Sequence, residues 1–375
     1  MAQAGDRCSR FILAGLLLLA GVSCSQDAGS ALGSATDGDA APAAAPIADS
    51  TVDELQALLD RWTAEGEGGA ALAIAHDGSE IAVLTSGAAD PDGTPIEPDD
   101  GFRIASITKT VVATMVLQLV DEGGLDLDDE VSRFVEHPSI PEGVTVGDLL
   151  GHTSGISDVG LREVRSEFRR EPERRWRPDE VLDAIASRYT SGSGYNYANT
   201  NYIIAGLVIE SVTGRPFEAE LTRRVLEPLG LTGTYLPPLP DREPIAGFTL
   251  LRPHGVTTST PATASETFTW SAGALVSTAE DLATFFRALA GGELLSPASF
   301  AAMTQGFEDG ASTGLGVFAA ELDGETAVLH GGELDGFRSV AIVTMTGDDL
   351  LVLLVNADRE LTPVFEQLDE LAFAS

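Results

Sequence analysis

Apolar positions along the chain repeat with two different periods, and the switch between them outlines a fold. Leu55, Leu58, Leu59 and Trp62 recur three and four residues apart, which predicts a helix capped by Ser50 or Thr51 and running to about Glu65. AALAIAHDG and EIAVLTSG then read as two short strands joined at Asp77-Gly78, a pair suited to a tight hairpin turn. FRIASITKTVVATMVLQLVDEGG predicts one long apolar helix that starts near Ser106 and stops at Gly123-Gly124. Helical patterns dominate the middle, at Val146–Leu150, Pro178–Tyr189, Thr200–Thr213, Phe217–Val225 and Thr278–Ala290. The strand pattern returns in GLGVFAAEL, AVLHGG, RSVAIVTMTG and LLVLLVNA, and a last helix covers about Thr362–Phe373.

Strands at both ends therefore flank a helical middle. The economical architecture is α+β: one antiparallel sheet drawn from both chain ends and flanked by the terminal helices, with an inserted, mostly helical lobe over about 125–290. Clefts between two such parts are common sites of chemistry.

The first fifty residues do not fit this pattern. Arg7 and Arg10 precede an apolar run, Phe11 to Ala20, that is too short for an ordinary membrane-spanning helix and reads as an export signal over residues 1–24. Cys24, after Gly21, Val22 and Ser23, resembles the lipid-carrying cysteine of bacterial lipoproteins, with simple signal cleavage as the alternative. Residues 25–50 are small, polar and rich in Pro, Ala and Gly, the composition of a flexible tether, and the folded domain is expected over 51–374. Cys8 and Cys24 are the only cysteines, so a domain following the leader has neither disulfide nor thiol chemistry. The expected location is outside the cytoplasm, at the cell surface or in the periplasm, with a membrane tether if Cys24 is lipidated.

Composition changes the picture in two ways. A formal charge of −36 repels nucleic acid and anionic membrane surfaces, which excludes both as partners held by charge. The cations are almost all arginine; Lys109 is the only lysine among 375 residues. It stands in Ser106-Ile107-Thr108-Lys109, where a helical turn brings positions three apart onto one face. A serine nucleophile needs a neighbouring base, and a lysine of lowered pKa can be that base where arginine cannot. Taken alone, SITK also reads as a capping serine beside an ordinary lysine. Tyr195 to Tyr202, YNYANTNY, offers a phenol for proton relay at Tyr197 and an amide at Asn199, or else a polar capping loop. His330-Gly331-Gly332 ends an apolar strand, where glycines admit a close neighbour or mark a bulge. His152 in GHTSG reads as a loop stabiliser, and Ser154 does not stand in a GxSxG frame. His76, His137 and His254 show no metal-ligand spacing.

Together SITK, YANT and HGG resemble, in order and separation, the three motifs of the serine β-lactamases and penicillin-binding proteins: SxxK, YxN or SxN, and KTG or a variant. LLGHTSGI, EPLGLTGTYL and SAGALVSTAEDLATF extend the resemblance across about residues 51–374. It implies that Ser106 is acylated, that Lys109 and Tyr197 share the base and relay roles, and that Asn199 holds a substrate amide. It places His330 at the third-motif cation position, with Gly331 and Gly332 lining the substrate, and builds an oxyanion hole from the backbone N–H groups of Ser106 and Glu333. It implies no metal or organic cofactor. The expected substrate is a small peptide, β-lactam or ester, and the expected enzyme a monomeric D-alanyl-D-alanine carboxypeptidase-like hydrolase of peptidoglycan peptides. An esterase or weak β-lactamase, and a non-catalytic penicillin or peptidoglycan sensor, are the alternatives. HGG in place of KTG lowers the expectation of strong antibiotic hydrolysis.

Overall fold

A computed structural model describes residues 46–158, 174–185, 194–239, 241–251, 256–260, 267–307 and 310–373. The export signal, Cys24, most of the tether, His254 and the end of the helix expected to reach Tyr189 lie outside the described residues.

The first helix, α1 (Asp49–Ala64), is followed by strands β1 (Gly69–Ala75) and β2 (Ala82–Gly87). Asp77 and Gly78 both take positive φ between them, as the Asp-Gly pair foretells. Next come the short strand β3 (Phe102–Arg103), a 3₁₀ turn over Ala105–Ile107 and helix α2 (Thr108–Asp121). The middle segment contributes helices Val146–Leu150, Pro178–Ile185 and Asn199–Thr213, then Phe217–Leu221 continuing through a π turn to Leu229. It also holds a hairpin, β4 (Gly247–Leu251) with β5 (Val256–Thr260), and the short strand β6 (Val276–Ser277), which pairs with β3. Helix Ala279–Ala290 closes this segment and packs back on the sheet against β1 and two later strands. The chain ends with helix Pro297–Met303, strands β7 (Phe318–Leu322), β8 (Glu325–Leu334), β9 (Phe337–Thr344) and β10 (Leu350–Val355), and helix Thr362–Phe373.

The six long strands form one antiparallel sheet in the order β2-β1-β10-β9-β8-β7, so both chain ends meet in its centre, where Leu72 faces Leu353. Side-chain alternation sorts the two faces. Ala70, Leu72 and Ile74 join Leu351, Leu353 and Val355 under α1 and the C-terminal helix, through Leu55, Leu59, Val364 and Leu368. Ala71 and Ala73 join Val352, Leu354 and Val343 on the opposite face, against α2 and the helical middle. Because both faces are covered, β10 reads LLVLLV rather than alternating with polar residues.

Helix α2 is buried around nearly its whole circumference, from Thr108 to Leu119. An apolar helix placed so deep is a fixed rod, and its amino end opens between the sheet edge at β8 and the helix Asn199–Thr213.

Candidate active site

The turn before α2 sets the position of Ser106. Ala105 holds a φ of 47°, a conformation that a residue with a Cβ adopts only under strain, which structures tend to keep at functional positions. Ile104 O accepts from Ser339 Oγ on β9, and Ile104 N donates to Leu275 O, so the turn is tied to the sheet and to the loop before β6. The second glycine of HGG is part of the same contact. A Cβ at Gly332 would sit 2.2 Å from Ile104 O and 3.1 Å from the Ala105 Cβ, so only glycine lets the turn lie against β8.

Lys109 is fully buried one turn further on. Its Nζ lies 3.0 Å from Ser106 Oγ, 2.8 Å from Asn199 Oδ1 and 2.7 Å from Ala272 O. Burial lowers its pKa to about 7, against a smaller opposing pull from Asp158. A neutral amine has two N–H bonds and one lone pair. Two carbonyl oxygens take the two hydrogens, and the lone pair is left for the Ser106 hydroxyl.

Tyr197 hydrogen-bonds Ser106, and its ring lies 4.9 Å below Lys109 Nζ. Burial pushes its phenol above the usual range, so it rests protonated. His152 positions it. The imidazole stacks on Tyr197 at 4.3 Å between centroids, Ala198 N donates to its Nδ1, and Asn196 N donates to its backbone oxygen. Burial, then the charge of Lys109, holds His152 well below the normal histidine range. Ser154 donates to Asn201 Oδ1 at 2.6 Å in this support layer and is itself buried.

The third motif departs from the expected cation. His330 is buried, and its Nδ1 lies 2.7 Å from Gly331 O, a carbonyl that can only accept; Nδ1 therefore carries the proton and Nε2 is an acceptor. Burial, together with the nearby Lys109, lowers its pKa to about 3. The position that a resemblance to KTG reserves for positive charge is thus neutral. Glu333 lies where an oxyanion donor is expected. Met345 N donates to Thr326 O, and the alternation of the β8–β9 ladder then turns the Glu333 N–H away from β9. β7 pairs with β8 only as far as Leu329, so this N–H stands on an unpaired stretch of sheet edge. The Ser106 N–H belongs to the first turn leading into α2, whose donors have no helical partner.

The structure thus gathers Ser106, Lys109, Tyr197, Asn199, His330 and the HGG edge in one place. Two contributors escaped sequence reasoning. Ala272 enters through a backbone oxygen, which has no side-chain signature. Asp158 accepts from Asn199 N at 2.7 Å across 41 positions of sequence, and only its place two residues after Ile156 in the GHTSGI stretch hinted at the cleft. Elsewhere, His76, Asp323 and Asp349 gather potential ligand atoms within 4.8 Å at one end of the sheet, a cluster from three separate turns that spacing could not reveal. The His76–Asp349 hydrogen bond of 2.8 Å accounts for two of its members.

The family model described as Beta-lactamase matches residues 48–374. Esterase EstB of Burkholderia gladioli is 35% identical over 209 residues, 52% of this chain and 51% of that protein. Matches to the curated relatives cover between 51% and 63% of those proteins' own length. Among solved structures, a D-stereospecific amidohydrolase from Streptomyces sp. is 29% identical with a TM-score of 0.73, covering 84% of this chain and 97% of that one. The D-amino acid amidase from Ochrobactrum anthropi SV3, complexed with D-phenylalanine, is 25% identical with a TM-score of 0.76, covering 86% and 98%.

Proposed function

The chain belongs to the Beta-lactamase family, and from that premise we propose a serine hydrolase that cleaves esters or amides through an acyl-Ser106 intermediate. The observation that carries this reading is the coordination of Lys109 Nζ by two carbonyls and the Ser106 hydroxyl. Neutral Lys109 takes the Ser106 proton as Oγ attacks the carbonyl carbon, and the developing oxyanion meets the N–H groups of Ser106 and Glu333. The proton passes to the leaving group by way of Tyr197, whose hydroxyl touches Ser106. Water then repeats the sequence in reverse roles and frees Ser106.

The carboxypeptidase expected from the motifs needs a cation for the terminal carboxylate of its peptide. A neutral, buried His330 offers none, and Arg338 on β9 is already engaged by Glu333 at 3.0 Å and Asp358 at 3.0 Å. The site therefore favours acyl groups whose leaving side carries no carboxylate. This agrees with the esterase and amidases that the chain resembles. The test is hydrolysis of p-nitrophenyl acetate beside release of alanine from an acylated D-alanyl-D-alanine peptide. The ester is turned over, Ser106→Ala loses at least about a thousandfold in rate, and the peptide is the poorer substrate. Equal ester hydrolysis in Ser106→Ala removes the nucleophile assignment, and faster peptide cleavage restores the carboxypeptidase.

The export signal and the tether at Cys24 are proposed on sequence alone. No helix among the described residues is long and apolar enough to cross a membrane. Cys24→Ser should shift the protein from the membrane to the soluble fraction; unchanged fractionation would remove the lipid anchor. A monomer is proposed as well, and light scattering on the purified protein tests it.

A further inference from the structure

We infer that Arg338, held by Asp358, is a positioning residue that fixes the backbone N–H of Glu333 where the oxyanion of the acyl transfer develops. The inference rests on the acyl-Ser106 reading above and adds to it two residues from outside the three motifs.

Strand pairing leaves the Glu333 backbone without a ladder partner. Glu333 and Arg338 stand opposite each other on β8 and β9, one pair before the Asp335-Gly336 turn. Theirs is a non-hydrogen-bonded pair, so each backbone points its N–H and C=O away from the other strand. β7 pairs only as far as Leu329, so it does not hold Glu333 from the outer side either. The donor depends instead on its cross-strand side chain and on the turn, and the Arg338 guanidinium engages both. Its Nη2 lies 3.0 Å from Glu333 Oε1, while Nη1 donates to Leu334 O at 2.9 Å and Phe337 O at 2.8 Å, the carbonyls on either side of the turn. A planar fork spans acceptors on two strands in a way that a lysine ammonium cannot copy. Asp358, just past β10, fixes the fork in turn. Its Oδ1 accepts from Arg338 Nη1 at 3.0 Å and from Gly336 N at 2.9 Å, and its Oδ2 accepts from Thr249 Oγ1 on β4. The backbone that carries Asp358 is itself tied down. Asp358 N donates to Phe248 O at 3.0 Å, Phe248 N donates to Asn356 O at 2.7 Å, and the buried Asn356 side chain bonds Gly69 N, Ala88 O and Ala246 O. Hydrogen bonds thus run without a break from the centre of the sheet to the turn beside the oxyanion donor. The Arg338 and Asp358 side chains are only 18% and 20% exposed, so this pair is held more firmly than an ordinary surface ion pair.

The test compares Arg338→Ala, Arg338→Lys and Asp358→Asn with the wild type in the full chain. For p-nitrophenyl acetate, Arg338→Ala should lower kcat about tenfold to a hundredfold and change KM by less than about threefold, because a displaced donor fails the transition state and not the ground state. Arg338→Lys should recover little of that loss. Asp358→Asn keeps an oxygen for Gly336 N and should show a smaller loss. The double variant should be no slower than Arg338→Ala, because Asp358 acts through Arg338. Phenylboronic acid supplies a readout without turnover. Its boron takes the Ser106 oxygen while Lys109 takes the proton, and the tetrahedral adduct puts a B–O group at the oxyanion position. Its dissociation constant, measured by calorimetry well below the melting temperature, should rise in Arg338→Ala by about the factor that kcat falls. A role in stability alone would move neither kcat nor this constant in the folded protein. Unchanged values in folded Arg338→Ala, or a change in KM alone, overturn the inference. Should Arg338→Ala not fold, Arg338→Lys decides, and wild-type values there overturn it. Absence of ester hydrolysis by the wild type sinks the hydrolase reading, and the boronate ratio then decides on Arg338 by itself; a wild type that binds no boronate overturns both.

Discussion

Lys109 is useful because it sits where a lysine is least comfortable. Its burial depresses the pKa from 10.5 to about 7, so the uncharged amine is abundant at neutral pH. Acylation should then be slow at pH 5, rise as Lys109 loses its proton, and level off above about pH 8. His330 and Tyr197 do not titrate in this window, since burial moves the first down to about 3 and the second above its usual range. A pH–rate profile for an uncharged ester therefore reads Lys109 alone, and a flat profile from pH 5 to 9 would count against the assignment. Lys109→Arg keeps a cation but cannot accept a proton, and should lower the acylation rate by at least about a thousandfold with circular dichroism unchanged. That Ser106, Lys109 and Asn199 stand together was legible in the sequence because SITK and YANT are short local patterns at the start of helices. Asp158 and the Ala272 oxygen were not, since one reaches the site across 41 positions and the other has no side chain in the matter.

The turn over Ala105–Ile107 and strand β8 have to lie closer than two ordinary backbones do. Gly332 makes the approach, with Ser339 Oγ and Ile104 O both 2.2 Å from where its Cβ would stand. Gly332→Ala should push the Ser106 turn off the sheet edge and separate the two oxyanion donors. The expected result is a loss of more than about a hundredfold in kcat, with KM less affected, and about 1–3 kcal/mol of stability. Retained activity in a folded Gly332→Ala protein would show that the edge and the turn move independently. At this scale the sequence pattern served long elements well: the last helix begins at Thr362 as read, and β10 follows the LLVLLV run. It missed β3 and β6, because two-residue strands have no period to detect. It also missed helix Pro297–Met303, although Ser296 accepting from Ser299 N and Pro297 in the first turn are local start signals. The β4–β5 hairpin was read as loop because its strands lie inside an otherwise helical stretch.

Sheet strands from both chain ends bind the molecule into one cooperative unit, since β1 lies between β2 and β10 and the terminal helices cover the same face. The motifs could announce this topology because the segments before SITK and after HGG both carry the strand period. The acidity of the whole chain acts on that unit in a different way. With 58 acidic residues against 22 basic ones, like charges repel across the folded surface more than in the expanded chain, and added salt screens that repulsion. The melting temperature at pH 7 should therefore rise by a few degrees, on the order of 2–5 °C, between low ionic strength and about 0.5 M sodium chloride. Isolated surface ion pairs pull the other way, but each contributes little, and pairs such as Arg177–Asp179 are well exposed. A melting temperature that falls with salt would mean that specific pairs, including the buried Arg224–Glu220 contact, outweigh the general repulsion.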